Sequence, residues 1–356
     1  MPILPFPAVG IPLVSVSSGK TAVSPEVKAA IVSVEVNEEE DQPAMVSITL
    51  NLWDGLRQRI KEEYLTQFQL GTPLEVAVGL NQASPIFTGE VTALEPSFGS
   101  GEGGGDTLTI RAYNRLHRLR FGTQQRTFQK MTDSQIASAI ADEVGLTGDV
   151  EDTITKHEHV TQENINNLTF LLNRAQSINY EVKVDDKTLF FRKTHEPEGP
   201  AVSLAYRRDL IRLTPRLRAV AEGGAVEVRG WDVRTKQPIL GTAGAGDEAS
   251  RMGGSQTGAE ISAAAFAPST RTITDEAVID ADEAQRIAKA WYNRQQRDFV
   301  EAEGECPGTP AFRAGQTIEM TDIGKPFSGT YYVTSATHTV GPQGYKTTFK
   351  VRRNAV

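Results

Sequence analysis

Leu70-Gly71-Thr72-Pro73-Leu74-Glu75-Val76 and Ala314-Gly315-Gln316-Thr317-Ile318-Glu319-Met320 read as the same strand written twice. In each, a glycine turn opens an alternating apolar–polar run, the pattern of a half-buried strand. The likeness continues downstream. Pro85-Ile86-Phe87-Thr88-Gly89 sits beside Pro326-Phe327-Ser328-Gly329, with one residue fewer before the phenylalanine, and Thr107 and Thr347 each open a final strand 18 residues beyond the glycine. A Gly-containing loop precedes that strand both times, at 99–105 and 341–344. Glycine turns and alternation are common to any pair of β-meanders, but three matched features in one order point to a duplication. The expectation is two similar small β-barrels in one chain.

Upstream of the first copy, residues 31–36 and 45–50 flank the acidic loop 37–43, a hairpin signal with a long tip. Between the copies the period changes. Thr132-Asp133-Ser134-Gln135 is a capping box, followed by Ile136, Ile140 and Val144 on one helical stripe and by Gly145 at its end. A second helix carries Ile165, Leu168, Leu171, Leu172 and Ala175, and two strands close on the turn Asp185-Asp186-Lys187. Residues 225–232 form the clearest strand thereafter. The stretch 241–258 is rich in Gly, Ala and Ser and reads as flexible, and a helix begins at Asp280 with Glu283 at its third position. The chain is therefore expected to be mainly β with α+β insertions. The expected division is a first barrel with an N-terminal arm over 1–120, an α+β domain over 121–197, a second barrel from 198–240 and 300–356, and a loop-and-helix insertion over 241–299.

The 356 residues, 39% apolar and 23% charged, suit folded domains and exclude a mostly disordered chain. Lys plus Arg number 37 against 45 Asp plus Glu, a net charge of −8 that disfavours polyanionic partners; no specific nucleic-acid binding is expected. The one cysteine, Cys306, excludes an intrachain disulfide and a four-cysteine zinc site. No apolar run reaches the length of a membrane span. The N-terminus, MPILPFPAVGIPLVSV, lacks a basic region, and its prolines would break a signal-peptide helix; it reads as an extended arm ordered by a partner or a neighbouring subunit.

Candidate chemistry is sparse. Gly99-Ser100-Gly101-Glu102-Gly103-Gly104 fits the G-x-G-x-x-G spacing, but it runs into a strand and not into the helix N-terminus that would hold a pyrophosphate. His157 and His159 flank Glu158 with no third ligand near them, so an edge strand is preferred to a metal site. The acidic pairs at Asp185 and Asp186 and at Glu301, Glu303 and Glu305 fall at turns or exposed ends, and nothing sets two carboxylates across a cleft. The basic run 115–120 lacks the stacking aromatics of a nucleic-acid platform and reads as a linker whose arginines pair with carboxylates inside the protein or across an interface. No catalytic residue, metal site or cofactor is expected.

Tyr113-Asn114-Arg115-Leu116-His117-Arg118-Leu119-Arg120, with Arg126-Thr127-Phe128 and residues 131–136 behind it, resembles the phage late control D family. It is also similar to the N-terminal hub part of the valine-glycine-repeat (VgrG) proteins. Residues 167–175, Tyr180-Glu181-Val182, and 226–232 running on to 236–239 look like the family's following blocks, so the matches run in order from about 113 to 240. The resemblance implies a structural, non-enzymatic protein, a trimeric baseplate hub of a contractile tail or contractile injection system. By this resemblance the two barrels are tube-protein-like β-barrels, and two per chain would make a pseudo-sixfold ring that adapts the hexameric inner tube to a trimeric spike. Long members of the family continue into an oligosaccharide-binding-fold domain and a β-helical needle; here the sequence stops at Val356, so the spike is expected on a separate chain.

The implied partners are two further copies of the chain, the spike, the inner-tube or tube-initiator protein and other baseplate proteins. The implied location is a virion tail baseplate or a cytoplasmically assembled injection particle of a bacterium. The residues expected to meet partners are Ile3, Leu4, Phe6, Val9 and Ile11 of the arm, Glu38, Glu39, Glu40 and Asp41 of the acidic loop, and Phe87, Gly89, Phe327 and Gly329 of the repeat. Two other classes stay open. A baseplate-associated cell-wall hydrolase needs a cleft with paired carboxylates or zinc. A soluble carbohydrate-binding β module needs exposed aromatics, although only 7% of residues are aromatic.

Overall fold

The structure, a computed structural model, describes residues 11–99, 105–194, 199–220 and 224–356. The chain opens with β1 (Leu13–Ser18), β2 (Thr21–Ala22), α1 (Pro25–Ala30), β3 (Ile31–Glu39), β4 (Met45–Asn51), the small strands β5 (Trp53–Asp54) and β6 (Arg59–Ile60), α2 (Glu62–Gln67), β7 (Pro73–Gly79), β8 (Ser84–Ser97) and β9 (Thr107–Tyr113). Alternation decides which face turns inward. Val34 and Val36 of β3, Val46, Ile48 and Leu50 of β4, and Leu108, Ile110 and Ala112 of β9 are buried, and polar residues stand between most of them. Val27 of α1, Tyr64 of α2 and Phe68 just after it belong to the same core. The last residues of the expected arm are thus β1, a strand of the fold paired with β7.

A 3-10 helix (Arg115–Arg120) leads to the inserted unit of β10 (Gln124–Thr132), α3 (Asp133–Glu143), β11 (Thr147–Val150), β12 (Lys156–Ile165), α4 (Asn167–Ser177), β13 (Tyr180–Asp185) and β14 (Thr188–Lys193). Thr132 and Gln135 form the capping box reciprocally. Ile136, Ile140, Leu168, Leu171 and Phe191 give the unit a core of its own. The arginines of 115–120 pair inside the chain: Arg118 donates two 2.7 Å bonds to Glu90, and Arg115 pairs with Asp186.

β15 (Val202–Ala205) and β16 (Arg212–Leu217) precede a second insertion of β17 (Ala225–Asp232), β18 (Gln237–Ala243), α5 (Gly258–Phe266), β19 (Thr270–Ile273) and α6 (Ala281–Gln296). Then come β20 (Val300–Pro307), β21 (Thr317–Thr321), β22 (Gly329–Gly341) and β23 (Gly344–Arg353). Strand β17, which the sequence reading placed in the second barrel, lies in the insertion: β18-β17-β19 is a separate sheet packed against α6. Close approach explains this. A Cβ on Gly241 of β18 would stand 2.2 Å from the Ala284 backbone of α6, so only glycine lets that helix sit so near. The stretch 241–258, expected to be flexible, is tied down as well. Ala249 N–H donates to Asn293 and Asn354 Nδ2 donates to the Ser250 carbonyl.

One sheet of 13 strands runs through both outer units in the order β16-β20-β23-β22-β3-β4-β9-β8-β7-β1-β2, with β21 beside β22 and β15 beside β21. Two barrels were expected; among the described residues there is no closed barrel. The edge of β3 that would close the first copy on itself is taken by β22 of the second copy. Each half still wraps its own core, around Val36, Ile48, Leu74 and Ile110 in one and Val300, Ile318, Val333 and Val351 in the other.

The halves repeat one another strand for strand, β3-β4-β9-β8-β7 matching β16-β20-β23-β22-β21. Gly71 N–H donates to the Val91 carbonyl at 2.8 Å, and Gly315 N–H to the Val333 carbonyl at 2.8 Å. Val91 N–H donates back to Thr72 and Val333 N–H to Gln316, both at 2.9 Å. A β-bulge follows each valine, between Val91 and Ala93 and between Val333 and Ser335. The extra residue is threonine in both, its hydroxyl donating to the carbonyl of Arg111 or Lys350. This fixes the alignment and corrects part of it. The match of Leu74-Glu75-Val76 with Ile318-Glu319-Met320 holds. Gly329, however, stands opposite Met320 as Phe87 stands opposite Val76, so Gly89 corresponds to Tyr331. Thr107 corresponds to Lys346, one residue before Thr347. The equivalent residues are 18 apart from Gly89 to Thr107 but 15 apart from Tyr331 to Lys346, so the shared interval arose from the two misaligned ends, and a period-2 pattern hides the two-residue slip at Gly329.

Candidate functional site: the internal seam and the open edges

The seam between the copies is the antiparallel pairing of β22 with β3, running from Ser335↔Glu39 to Val340↔Val34. Val340 and Tyr345 of the second copy belong to the first copy's core, so apolar burial crosses the seam. Polar groups lock it. Arg313 Nε donates to Glu38 at 2.7 Å, and the other guanidinium arm pairs with the same carboxylate. Arg352 pairs with Glu40 at 2.7 Å, and Thr337 Oγ1 meets Asn37 at 3.4 Å. His338 is 1% exposed; its ring nitrogens lie 2.9 Å from the Phe312 carbonyl and 2.9 and 3.1 Å from the hydroxyls of Tyr345 and Thr347. Since the carbonyl can only accept, Nε2 carries the hydrogen and Nδ1 accepts from the hydroxyls. Burial pushes the imidazole pKa down to about 4.

The opposite face of the sheet is polar. Following the register, Glu35, Glu39, Glu95, Glu301, Glu303 and Glu305 share it with Arg111, Arg212, Arg216, Lys346, Lys350 and Arg352. Glu75, Glu90 and Glu319 lie on the same face by register, so carboxylates outnumber cations there and the face shares the net negative sign of the whole chain. Ion pairs such as Lys346 with Glu305 at 2.9 Å and Arg111 with Glu95 at 2.9 Å run across it.

Two of the sheet's open strand edges correspond to the strands that form the seam. β16 pairs only with β20, and β8 past its bulge pairs only with β9. Both edges carry a proline inside the strand, Pro215 and Pro96. Apolar side chains stand along them: Leu217 is 41% and Phe98 66% exposed.

The residues singled out from sequence fall as follows. Ile3, Leu4, Phe6 and Val9 lie outside the described residues, and Ile11 is 82% exposed. Glu38 and Glu40 are held by Arg313 and Arg352 within the chain, Glu39 lies on the polar sheet face, and Asp41 accepts from Gln176, with burial raising its carboxyl pKa. Phe87 is buried in the first core and Phe327 packs on the second. A Cβ on Gly89 would stand 2.2 Å from the Tyr113 carbonyl, and Gly329 lies against Arg353. His157 does not share a ligand set with His159. It sits between Asp133 at 3.3 Å and Glu283 at 3.7 Å, where it ties the first insertion to α6, with Arg174 donating to Asp133 at 2.6 Å. Burial alone would raise the Asp133 carboxyl pKa, but the hydrogen bonds from His157 and Arg174 outweigh it and hold it below its ordinary value. Among the described residues no group of acidic, His or Cys side chains has the makings of a metal site, and no helix is long and apolar enough to cross a membrane. The seam and both open edges were missed from sequence; Pro96 and Pro215 inside strand patterns were the available signal.

This arrangement has the fold of phage tail proteins. The prophage MuSo2 43 kDa tail protein from Shewanella oneidensis shares it at a TM-score of 0.68 and 12% identity, over 96% of this chain and 98% of that one. The tail protein from Neisseria meningitidis MC58 does so at 0.65 and 11%, over 96% of each chain. The E. coli c3393 protein, a type VI secretion component with structural similarity to the T4 tail proteins gp27 and gp5, matches at 0.56 and 13%, over 91% of this chain and 74% of that one. These likenesses agree with the hub-family resemblance read from residues 113–240. No curated protein matches in sequence. The chain belongs to the Alg8 N-terminal domain family, whose model matches residues 12–341.

Proposed function

We propose that the chain is a non-enzymatic structural hub of a contractile phage tail or phage-like injection particle, located in its baseplate. Three copies form a ring that adapts a hexameric inner tube to a trimeric spike. The observation that carries this reading is the duplication in register. One chain holds two copies of a five-stranded unit, so three chains hold six. A closed tube ring of six subunits offers six equivalent surfaces, and a partner built from six similar units leaves none unpaired. The fold likeness to tail proteins supports the same reading. In this arrangement the insertions at about 121–197 and 225–296 lie outside the ring or toward the spike, where true threefold symmetry suffices.

Native mass spectrometry and electron microscopy of the assembled particle test the reading. The expected result is a trimer between tube and spike with six similar sheets around one axis. A chain that is monomeric both in solution and in the particle would overturn it. A peptidoglycan zymogram separates the hub from a cell-wall hydrolase, and the hub is expected to leave no cleared band.

A further inference from the structure

The internal seam is a template for a second seam. Its two strands, β22 and β3, have structural equivalents in the other copy: β8 for β22 and β16 for β3. Both of those strands have an open edge. We infer that β16 of one chain pairs antiparallel with the segment Ala93–Phe98 of a second copy of the chain, in the register of the internal seam. The inference rests on the trimeric reading above and deepens it.

The register follows residue by residue. Val333 and Val91 occupy equivalent places, so Ser335 to Val340 correspond to Ala93 to Phe98. Val46 and Ala302 face the equivalent residues Ala112 and Val351, so Val36 of β3 corresponds to Pro215 of β16. Transferring Ser335↔Glu39 through Val340↔Val34 then gives Leu94↔Leu217, Glu95↔Arg216, Pro96↔Pro215 and Phe98↔Leu213 across the two chains. Nothing in the transfer used the identity of these side chains. It nevertheless sets leucine against leucine, glutamate against arginine and phenylalanine against leucine, the pairings that stabilise neighbouring strands. A slip by one residue would set Glu95 against Leu217 or Pro215 and move the apolar residues to the wrong face.

The prolines set the strength of this seam. Glu40 N–H donates to the Thr334 carbonyl, which fixes the hydrogen-bonding phase of the internal seam. Counting from it in steps of two, the pair His338 and Val36 points its backbone groups across the seam. Pro96 and Pro215 occupy the corresponding pair, and neither has an N–H to give. The interchain seam therefore lacks a pair of backbone bonds there and parts more easily than the internal one. The same prolines keep each open edge from pairing indiscriminately before assembly.

The test is directed disulfide formation in the assembled particle. Glu95 and Arg216 form a pair lying between hydrogen-bonded ones, where Cα atoms approach to about 4.5 Å, within disulfide reach. The double variant Glu95→Cys, Arg216→Cys is expected to give a covalent trimer on non-reducing gels. The register-shifted control Glu95→Cys, Thr214→Cys and each single variant should give monomer, since the native Cys306 is buried. A trimer by mass with no cross-link, or equal cross-linking of the shifted control, overturns the proposed seam while leaving the hub reading intact; absence of any trimer sinks the hub reading itself. As a check without cysteine, Glu95→Arg or Arg216→Glu alone should raise the trimer dissociation constant by roughly 100-fold over three seams. Combining the two reversals should restore it, and failure of that rescue counts against the pair.

Discussion

His338 offers the sharpest handle on the internal seam, because it is neutral in the fold and would be charged when exposed near pH 5. The change to make is His338→Gln. Glutamine keeps a donor for the Phe312 carbonyl and an acceptor for Tyr345 and Thr347, yet has no titration between pH 4 and 7. In the native chain burial lowers the imidazole from the ordinary 6.5 to about 4. A depressed folded pKa means that the unfolded state binds the proton more readily. The stabilisation is therefore fully present above about pH 6.5, falls as pH drops, and is gone below about 4. The gap of about 2.5 pH units corresponds to roughly 3 kcal/mol in total, of which about 2 kcal/mol is lost by pH 5. His338 is 1% exposed, so solvent screening does not reduce this much. Urea unfolding followed by the fluorescence of the 3 tryptophans, at pH 7 and pH 5, gives the two slopes. The native protein should lose about 2 kcal/mol more than His338→Gln over that range. Carboxylate titrations contribute equally to both proteins and cancel. Parallel losses in the two proteins would refute the argument that a buried neutral imidazole holds the seam.

Three further outcomes are expected. Phe349→Ala should cost about 3–5 kcal/mol in chemical unfolding, because the ring stacks on Phe312 at a 4.5 Å centroid distance and closes over Gly304. Asp133→Asn should destabilise by about 3 kcal/mol, since it leaves the guanidinium of Arg174 and the ring of His157 without their buried carboxylate; thermal melts at pH 7 will show whether it does. Gel-shift assays at physiological salt should show no micromolar binding to duplex DNA, as the chain carries −8 overall and carboxylates outnumber cations on its polar sheet face; retention of DNA would contradict that account.

Local signals were legible in the sequence wherever one short stretch decides them. The capping box at Thr132, the N-cap at Asp280, the hairpin at 31–50 and the turn at Asp186 all stand where residue chemistry put them. The duplication was legible too, because glycine turns and alternation survive divergence. What failed was closure and register. Whether a strand pairs with its own copy or with the other is decided by contacts between residues such as Asn37 and Thr337, and no local pattern carries that choice. Strand β17 was misplaced for a similar reason. Its alternation suits any sheet, and the decisive feature is the absent side chain of Gly241 beneath α6. The acidic loop looked like a surface for partners because the arginines that neutralise Glu38 and Glu40 lie far along the chain, at positions 313 and 352.

That separation bears on how the chain reaches its native state. Asn37 and Thr337 lie 300 residues apart, and nearly every contact that fastens the two copies is as distant in sequence. Closing so long a loop costs entropy before any contact rewards it, so the seam belongs to the late steps of folding. Until β22 arrives, β3 presents a strand edge with valines on one side and a run of glutamates at its end. An unpaired edge of this kind is where a growing chain can capture the wrong neighbour. The charges of Glu38, Glu39 and Glu40 repel a second copy of the same edge until the arginines near the other end of the fold come to neutralise them.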